Sequence, residues 1–409
     1  MKKTLTSLVL GTACLLGINA NAQTQVSETI VNPICVSNPS IAINKIDNGR
    51  FLTYSTGDSL LLNYSKDGKE NTYTLRTGGT NYGNIDSVLD NNGNDRIVFS
   101  GYEDGKWKNF YVNTIDSKVK TLYSGSTENR TSVAYDNSQH KLYVAAGNYH
   151  IDNPDIVVAS STDYFKSVQG YWSINLPGVQ KNPVIRCSSN PNPRGLNEAH
   201  LIFENYVGVA ENGTPKINLE YTTSGFNFGE FGSFVINPNA NQTYGADMVV
   251  DGDGHPSIAY KSSQFNPDNL KTGDVFVGSP FGNGKRVTTN SVNWAEDRPL
   301  SFAMDEQVGP LISKDYISWG EWNNDSINVM ASMIPVGQEK FMIPMELKNA
   351  TTGTNPDLGW TDIAIDKYGN PILSTNIHSL AVYEMNSIDI PEPSTLALLG
   401  TGALFIGGK

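Results

Sequence analysis

The sequence predicts an all-β fold, a seven-bladed β-propeller, and a recurring unit of strand, tight turn and strand is the main reason. Its clearest copy is residues 245–263, GADMVVDGDGHPSIAYKSS, and further copies occur at 84–102, 131–147 and 360–375. No stretch with a 3.6-residue hydrophobic period precedes the last twenty residues. Because a single hairpin cannot bury its own faces, these copies are expected to pack against one another.

The position that follows the first strand of each repeat sets the predicted number of blades. Successive copies of this position are 46, 46, 51, 64, 54 and 61 residues apart. A period near 46 with three or four strands per copy is typical of propeller blades, whereas a β-sandwich has fewer and less similar strands. Seven copies predict seven blades, with six blades as the alternative. The seven positions are Asn44, Asp90, Asp136, Cys187, Asp251, Asp305 and Asp366.

The last repeat lacks one strand. It supplies three, at 361–365, 371–376 and 380–385, whereas the first blade has four. Residues 28–32 precede the first blade, and we predict that they pair as the outer strand of the seventh, because such closure removes an exposed edge. The propeller is therefore assigned to residues 23–388. The predicted strands of the first blade are 40–43, 50–55, 59–64 and 71–75.

The N-terminal residues 1–22 have the pattern of a secretory signal peptide. Lys2 and Lys3 precede an apolar run at 8–16, and Ala20-Asn21-Ala22 supplies small residues for cleavage before Gln23. The sequence therefore predicts an exported protein.

The C-terminal residues 389–409 carry a second targeting signal. Pro391, Glu392 and Pro393 are followed by the apolar run LALLGTGALFIGG, and together they resemble the PEP-CTERM sorting domain of exported bacterial proteins. The resemblance implies recognition and processing by an exosortase-type enzyme. It also implies transient anchoring in the membrane through a short hydrophobic helix, followed by display at the cell surface or in the extracellular matrix. A buried C-terminal helix is the alternative.

Composition and charge exclude one class of partner. The chain has 41 acidic and 29 basic residues, a formal net charge of −12, and only 17% charged residues against 38% hydrophobic ones. Nucleic-acid binding requires clustered Lys and Arg to neutralise phosphates, and the sequence has no such cluster. We expect a folded protein that does not bind nucleic acid.

Two cysteines remain after removal of the signal peptide, Cys35 and Cys187. An exported protein is able to oxidise such a pair. The blade assignment places them almost across the ring from each other, however, and a disulfide needs Cα atoms within about 7 Å. We expect both to stay unbridged.

Acidic residues recur at the start of the inner strand of three repeats. Asp86, Asp247 and Asp362 each lie four residues before the repeat position described above. A ring of such carboxylates at the central channel predicts a cation site, with Ca²⁺ as the candidate ion. The alternative is that these side chains cap backbone N–H groups between blades. Serines occupy the equivalent place at Ser40, Ser132 and Ser301.

Some turns also contain fragments of calcium-binding loops. Examples are Asp90, Asn92 and Asn94 in DNNGND, and Asp251 and Asp253 in DGDGHP. Neither completes the ligand spacing of a calcium loop, since no Glu follows at the twelfth position. Structural roles in tight hairpins are the favoured interpretation, with no cofactor required.

The segment 158–172, VASSTDYFKSVQGYW, resembles the Asp-box (BNR repeat) of sialidase-like propellers. Ser161, Asp163 and Trp172 carry the resemblance. In that family the motif is structural and remote from the active face. The enzymes also use an arginine triad, a nucleophilic Tyr with its Glu, and an acid/base Asp, and no such arginine motif is visible here. The resemblance therefore supports the fold and leaves catalytic residues unassigned.

One face of the propeller is the predicted binding surface. The loops that enter each inner strand share this face, called the loop face below, with the loops between the second and third strands. Exposed aromatic rings beside carboxylates there suit a carbohydrate, whereas blade packing is the alternative role for the tryptophans. The candidate ligand-binding residues are Tyr82, Arg130, Asp152, Tyr244, Trp294, Glu296, Arg298 and Trp360.

Two classes of function are compatible with these observations. The first is a surface or matrix-associated propeller that binds a polysaccharide or a surface protein without catalysis, and the sorting signal favours it. The second is a secreted glycan-active enzyme, a sialidase-like glycosidase or a lyase, in which acidic residues of the loop face act as acid and base.

Overall fold

The structure is a computed structural model, and it consists of seven antiparallel β-sheets that follow one another along the chain. In the described part of the chain the one helix is a 3-10 turn at Ser224–Gly229, and no helix there is long and apolar enough to cross a membrane. The described residues are 24–32, 39–115, 117–125, 130–150, 153–188, 198–209, 215–229, 233–238, 242–263, 272–282, 284–288, 292–293, 300–305, 314–323, 326–334, 344–351, 360–376 and 379–387.

The described part of the chain begins with strand β1, and the first four blades follow in order. Each blade is a four-stranded meander whose first strand lies innermost. The strands are β1 (Thr24–Asn32); β2 (Ser40–Ile43), β3 (Arg50–Ser55), β4 (Ser59–Lys66) and β5 (Lys69–Thr77) in blade one; β6 (Thr80–Leu89), β7 (Asp95–Glu103), β8 (Lys106–Asn113) and β9 (Lys118–Gly125) in blade two; β10 (Thr131–Asp136), β11 (Lys141–His150), β12 (Asn153–Ser161) and β13 (Gly170–Ile174) in blade three; and β14 (Val179–Cys187), β15 (Ala199–Val209), β16 (Pro215–Thr223) and β17 (Phe234–Ile236) in blade four.

The remaining three blades complete the ring. Blade five carries a short extra strand that pairs with its third strand. The strands are β18 (Thr243–Val250), β19 (Pro256–Ser262), β20 (Thr272–Gly278), β21 (Lys285–Arg286) and the extra β22 (Val292–Asn293) in blade five; β23 (Ser301–Asp305), β24 (Lys314–Asn323), β25 (Ser326–Ile334) and β26 (Met345–Thr351) in blade six; and β27 (Thr361–Ile365), β28 (Pro371–Asn376) and β29 (Leu380–Ser387) in blade seven.

The first strand of the chain closes the ring. Strand β1 pairs antiparallel with β29 and becomes the outer strand of blade seven, so that Glu28 lies opposite Tyr383 and Thr24 opposite Ser387. The Tyr383 hydroxyl donates a 3.0 Å hydrogen bond to Glu28 Oε1. The prediction that 28–32 supplies the missing strand is confirmed, as is the prediction of seven blades, which rules out six.

The core lies in the gaps between blades. Seven clusters of buried apolar side chains in the described residues each fill the gap between two neighbouring blades. Leu52 of blade one contacts the same cluster as Val382 of blade seven, and Val98 of blade two shares a cluster with Val144 of blade three. Because each blade buries both faces, its central strands are buried along most of their length rather than at alternate residues, as in β3, β7 and β28.

In four blades an acidic residue at the repeat position stabilises the turn between first and second strands. Asp90 Oδ1 accepts from the N–H groups of Asn92 and Asn94 at 2.9 and 3.0 Å. Asp251 and Asp366 do the same in blades five and seven. This geometry supports the structural interpretation of these turns. In a calcium loop the Asp oxygen would bind the ion, whereas here it accepts from backbone N–H groups.

One repeat position is corrected by the structure. The Val133 N–H of blade three and the Ile185 N–H of blade four each donate to a side chain of the preceding blade, so these two residues are equivalent. Asp136 lies three residues after Val133, and the equivalent position in blade four is therefore Ser188 and not Cys187. The cause is a β-bulge between Lys181 and Val184 in β14. Cys187 is a half-buried free thiol, and Cys35 lies outside the described residues, as do the signal peptide and the predicted C-terminal helix.

The alternation of strand direction defines two faces. Inner strands begin at the loop face and end at the opposite one, called the turn face below. The turn face carries the turns between first and second strands, such as 44–49 and 366–370, and the turns between third and fourth strands, such as 114–117. The loop face carries the turns between second and third strands, such as 56–58 and 104–105.

Candidate functional site

A closed ring of side chains surrounds the central channel near the start of the inner strands. We call it the channel ring. Each member contacts the following blade, so the ring crosses all seven boundaries between blades. Its members, one from each blade in order, are Ser40, Asp86, Ser132, Arg186, Asp247, Ser301 and Asp362.

The ring contacts have a common form. In five boundaries a side-chain oxygen accepts from the N–H of a residue next in sequence to the ring member of the following blade. Asp86 accepts from the Val133 N–H at 3.0 Å, and Asp247 accepts from the Phe302 N–H at 3.0 Å. The Ser132, Ser301 and Asp362 oxygens accept in the same way at 3.1, 2.9 and 2.7 Å. The predicted capping of backbone N–H groups between blades is therefore found in the structure.

Arg186 supplies the positive charge of the ring. Its guanidinium donates to Asp86 Oδ2 at 3.0 Å and to Asp247 Oδ1 at 3.2 Å, and it also contacts the Ser132 hydroxyl at 3.0 Å. Two of the three carboxylates proposed as cation ligands thus bind a guanidinium. Burial raises the pKa of Asp362 to about 7, and the negative charges of Asp86 and Asp247 act in the same direction.

These contacts bear on the predicted calcium site. Among the described residues no group of three or more His, Cys, Asp or Glu side chains has the arrangement of a metal site. Calcium binding by Asp86, Asp247 and Asp362 therefore stays a prediction.

Tyr82 is placed differently from the sequence prediction. Its ring is buried between blades one and two, and its hydroxyl donates to Glu103 Oε1 at 2.7 Å. Burial raises the pKa of Tyr82 to about 12. Gly79 and Gly101 make room for the ring, since a Cβ at either would lie within about 2.5 Å of it. The expectation of an exposed ring at Tyr82 is wrong.

Tyr244 is also buried, so its expected exposure is wrong as well. Beside it, the Gly245 N–H donates to Glu204 Oε1 at 2.8 Å. Arg130 is half-buried at the loop face and donates to the Ala246 carbonyl at 3.3 Å. These residues come together at the boundary of blades four and five, with Arg130 reaching there from blade three.

The other predicted ligand-binding residues fall into two groups. Trp360 lies half-buried at the loop face, and its backbone N–H donates to Asn376 Oδ1 at 2.9 Å. The remaining four lie outside the described residues: Asp152, Trp294, Glu296 and Arg298.

Two partly exposed pairs of side chains at the loop face were missed by sequence reasoning. Tyr102 and Trp107 flank the turn between β7 and β8, with ring centroids 5.7 Å apart in an edge-to-face arrangement. Gly125 lies opposite Trp107, so no side chain covers the indole from that strand. The sequence YEDGKW, with an Asp-Gly turn between the two aromatic residues, contained the pattern that predicts this hairpin. In blade four, Lys181 Nζ lies 5.0 Å from the centre of the Tyr206 ring.

Two described acids near the loop face, Glu103 and Glu204, are bound by donors of the protein. Arg76 holds Glu103 with two hydrogen bonds of 2.9 and 2.8 Å, and this ion pair, reinforced by Tyr82, lowers the pKa of Glu103. Glu204 is buried, and besides the Gly245 N–H it accepts from Asn182 Nδ2 at 2.9 Å. Burial raises the pKa of Glu204.

The Asp-box-like segment forms a compact turn between β12 and β13. Ser161 Oγ donates to Asp163 Oδ1 at 2.7 Å and accepts from the Phe165 N–H at 2.8 Å. Hydrogen bonds from Ser167 lower the pKa of Asp163 to about 2. Trp172 packs against the Phe228 ring at 5.1 Å. The turn lies on the turn face, away from the loop face, which agrees with a structural role.

The tail is assigned by comparison with protein families. Residues 389–409 match the PEP-CTERM protein-sorting motif. The motif marks an exported protein that is anchored in the membrane through its C terminus, processed by an exosortase-type enzyme and displayed at the surface. A comparison with curated protein sequences finds no significant match.

Solved structures are similar in fold. An ulvan lyase of polysaccharide lyase family PL25 is 10% identical with a TM-score of 0.52, and the alignment covers 88% of this chain and 96% of that one. The structure of the same lyase bound to -[GlcA(1-4)Rha3S]- has a TM-score of 0.51. The NanB sialidase of Streptococcus pneumoniae, as its K499G mutant, is 10% identical with a TM-score of 0.43, covering 86% of this chain and 68% of that one. At these identities the similarity to the lyase shows the fold alone.

Proposed function

We propose that the protein is a surface-displayed propeller that binds a polysaccharide on its loop face without converting it. The observation that carries the proposal is the state of the loop-face acids. Glu103 is held by Arg76 and Tyr82, and Glu204 is held by Asn182 and the Gly245 N–H. A general acid or base has to reach the substrate proton, and these carboxylates already bind protein donors.

The aromatic pair of Tyr102, which is exposed, and Trp107, which is half-buried, supports a saccharide as the ligand. Tyr102 and Trp107 present ring surface next to the exposed Asp104 and the Lys108 ammonium. Sugar rings have apolar faces that stack on aromatic side chains, while their hydroxyls need polar partners at the rim. A surface protein is the other partner considered, and the same aromatic pair would then act as an anchor.

The sorting motif fits this role. Processing by an exosortase-type enzyme releases the propeller from its membrane anchor, and the cell surface or extracellular matrix is where a polysaccharide would be met. The loop face is then available to a long polymer, because the turns 56–58 and 104–105 lie on the outside of the ring.

A second candidate function rests on Glu204. Burial raises the pKa of this carboxyl group, and a carboxyl group with a raised pKa beside Tyr206 and Lys181 is the type of group that acts as a general acid in lyases and glycosidases. On this alternative the protein cleaves a glycan, and ulvan is a first substrate to test because the lyase of similar fold acts on it.

The test combines a glycan array with a turnover assay on the full mature chain. The panel includes ulvan and neutral glucans, with release of reducing ends and of unsaturated uronates as readouts. We expect binding without turnover, and Trp107→Ala should weaken binding at least tenfold. Tyr368→Ala, which removes an exposed ring on the turn face, is the matched control and should change affinity less than twofold. Turnover that Glu204→Gln abolishes would establish the alternative instead.

A further inference from the structure

Both ends of the propeller leave from the same place on the turn face. Strand β29 runs from the loop face to the turn face and ends at Ser387, which lies opposite Thr24 at the start of β1. The Pro391-Glu392-Pro393 signature of the sorting motif begins only four residues later. Four extended residues span at most about 14 Å, so the motif is held close to this edge of blade seven. While the C-terminal segment is in the membrane, the turn face is the nearer one.

The turn face also carries exposed apolar side chains at the tips of its turns. Five different blades contribute one each, and these side chains are between 55% and 78% exposed. We call them the apolar tips. Exposed side chains of this size need an explanation when they recur on one face, because isolated ones are common but a matched set marks an interaction surface. The apolar tips are Ile46, Ile115, Val168, Phe281 and Tyr368.

Charged groups near the tips suit a lipid surface. The exposed Lys45 and Lys166 lie one and two residues from a tip, and Lys367 Nζ lies 5.0 Å from the centre of the Tyr368 ring. Lysine stems lie along apolar surface while their ammonium groups reach phosphates. The turn face also carries carboxylates, which repel lipid phosphates. Those of Asp251 and Asp366 are turned toward backbone N–H groups, from which they accept hydrogen bonds.

We propose that the turn face docks on a phospholipid bilayer while the protein is anchored, with the apolar tips at the headgroup level and the loop face directed away from the membrane. This orientation goes beyond the proposed ligand binding and does not depend on it. It leaves the loop face accessible before as well as after processing. It also brings the sorting motif to the membrane surface, where a membrane-embedded processing enzyme acts.

The test uses two cysteine variants at opposite ends of strand β3. Lys45→Cys marks the turn face and Asp58→Cys marks the loop face, each in full-length protein whose Cys35 and Cys187 are replaced by Ala. The purified chains are labelled with a bulky maleimide in detergent and after reconstitution in phosphatidylcholine and phosphatidylglycerol vesicles. Labelling rates are determined only for the protein molecules that the maleimide can reach. Molecules whose propeller lies inside the vesicles therefore do not affect the result. In vesicles the labelling of Lys45→Cys should slow at least fivefold, while that of Asp58→Cys changes less than twofold.

A second arm separates the tips from the anchor. The Lys45→Cys chain additionally receives Ile115→Ser, Phe281→Ser and Tyr368→Ser, and the matched control receives Val207→Ser and Val209→Ser, exposed apolar residues at the loop face. The tip variant should regain the labelling rate seen in detergent to within twofold, and the control should stay protected. Protection that persists in the tip variant overturns the docking by the tips. Equal slowing at both faces, or greater slowing at Asp58→Cys, overturns the orientation.

Discussion

The N–H of Ile41 donates a 2.7 Å hydrogen bond to Asp362 Oδ2, joining residues 321 positions apart in the chain. This bond closes the channel ring at the boundary where the first and last blades meet. The same boundary is closed at its outer edge by the pairing of β1 with β29. The seam of the propeller is therefore held at the channel by one buried polar contact and at the rim by a whole strand.

Replacement of Asp362 by Ala should destabilise the protein. The Ile41 N–H would lose its acceptor inside the ring, and an unsatisfied buried donor costs about 1–3 kcal/mol. Chemical denaturation of the full chain measures this loss. Asp253→Ala, at an exposed turn position, is the control and should change the free energy of unfolding by less than about 0.5 kcal/mol. Equal effects of the two substitutions would contradict a structural role for the ring.

Arg186→Met tests the charge balance of the ring together with the calcium prediction. Without the guanidinium, Asp86 and Asp247 face each other uncompensated, and loss of one partner of a buried ion pair costs about 3–5 kcal/mol. The loss should be smaller at pH 4, where the carboxyl groups are more protonated. Calcium should raise the unfolding temperature of the variant, because the three carboxylates then have an open centre. A variant whose unfolding temperature calcium leaves unchanged would contradict the calcium prediction.

The acids of the channel ring could be predicted from sequence, but its arginine could not. Asp86, Asp247 and Asp362 stand at the same place in aligned repeats, and four residues along a strand bring side chains to one face. In the fourth repeat that place is taken by apolar Val184, and Arg186 reaches the ring from two residues further on. The preceding β-bulge shifts the register there, and a bulge depends on contacts with the neighbouring strand.

The binding surface was predicted less well than the fold, for a related reason. Local sequence places Tyr82 at the loop face, but its burial depends on the space left by Gly101, which lies on the neighbouring strand. Only strand pairing brings these two residues together. Tyr102 and Trp107, by contrast, belong to a single hairpin, so their proximity is a local property that the sequence contains.

Asp95→Asn should remove part of the pH dependence of stability. Burial raises the pKa of Asp95 to about 8, and neither carboxyl oxygen has a hydrogen-bond partner. In the unfolded chain the group titrates near about 3.9. Between pH about 4 and about 8 the unfolded state therefore binds fewer protons than the folded state. The free energy of unfolding of the wild type accordingly falls as the pH rises through this range.

The comparison is made by denaturant unfolding of the wild type and Asp95→Asn at pH 4, 6 and 8. The two should be similar at pH 4, and the variant should be more stable by about 2 kcal/mol or more at pH 8. A difference that does not change with pH would show that Asp95 is not the titrating group.

Deletion of residues 23–34 should destabilise the propeller at its seam. Removal of β1 exposes the backbone of β29 along its length, and such an edge also pairs with other chains. We expect thermal unfolding to begin at least about 5 °C lower, with concentration-dependent aggregation. Deletion of 389–409 is the control, since it leaves every strand in place. An unchanged transition after loss of β1 would contradict closure by this strand.

Alanine substitution of Pro391, Glu392 and Pro393 should change where the protein accumulates without changing its fold. Pro391 lies four residues after β29 ends, so no described strand contains any of the three. The thermal transition of the propeller should therefore match that of the wild type. In a host with an exosortase, the wild type should be processed and reach the surface, whereas the variant stays uncleaved in the membrane fraction. A host that lacks the enzyme is the control, because both chains should then stay in the membrane. Identical fractionation and mobility of the two chains in the exosortase host would show that the motif does not direct sorting.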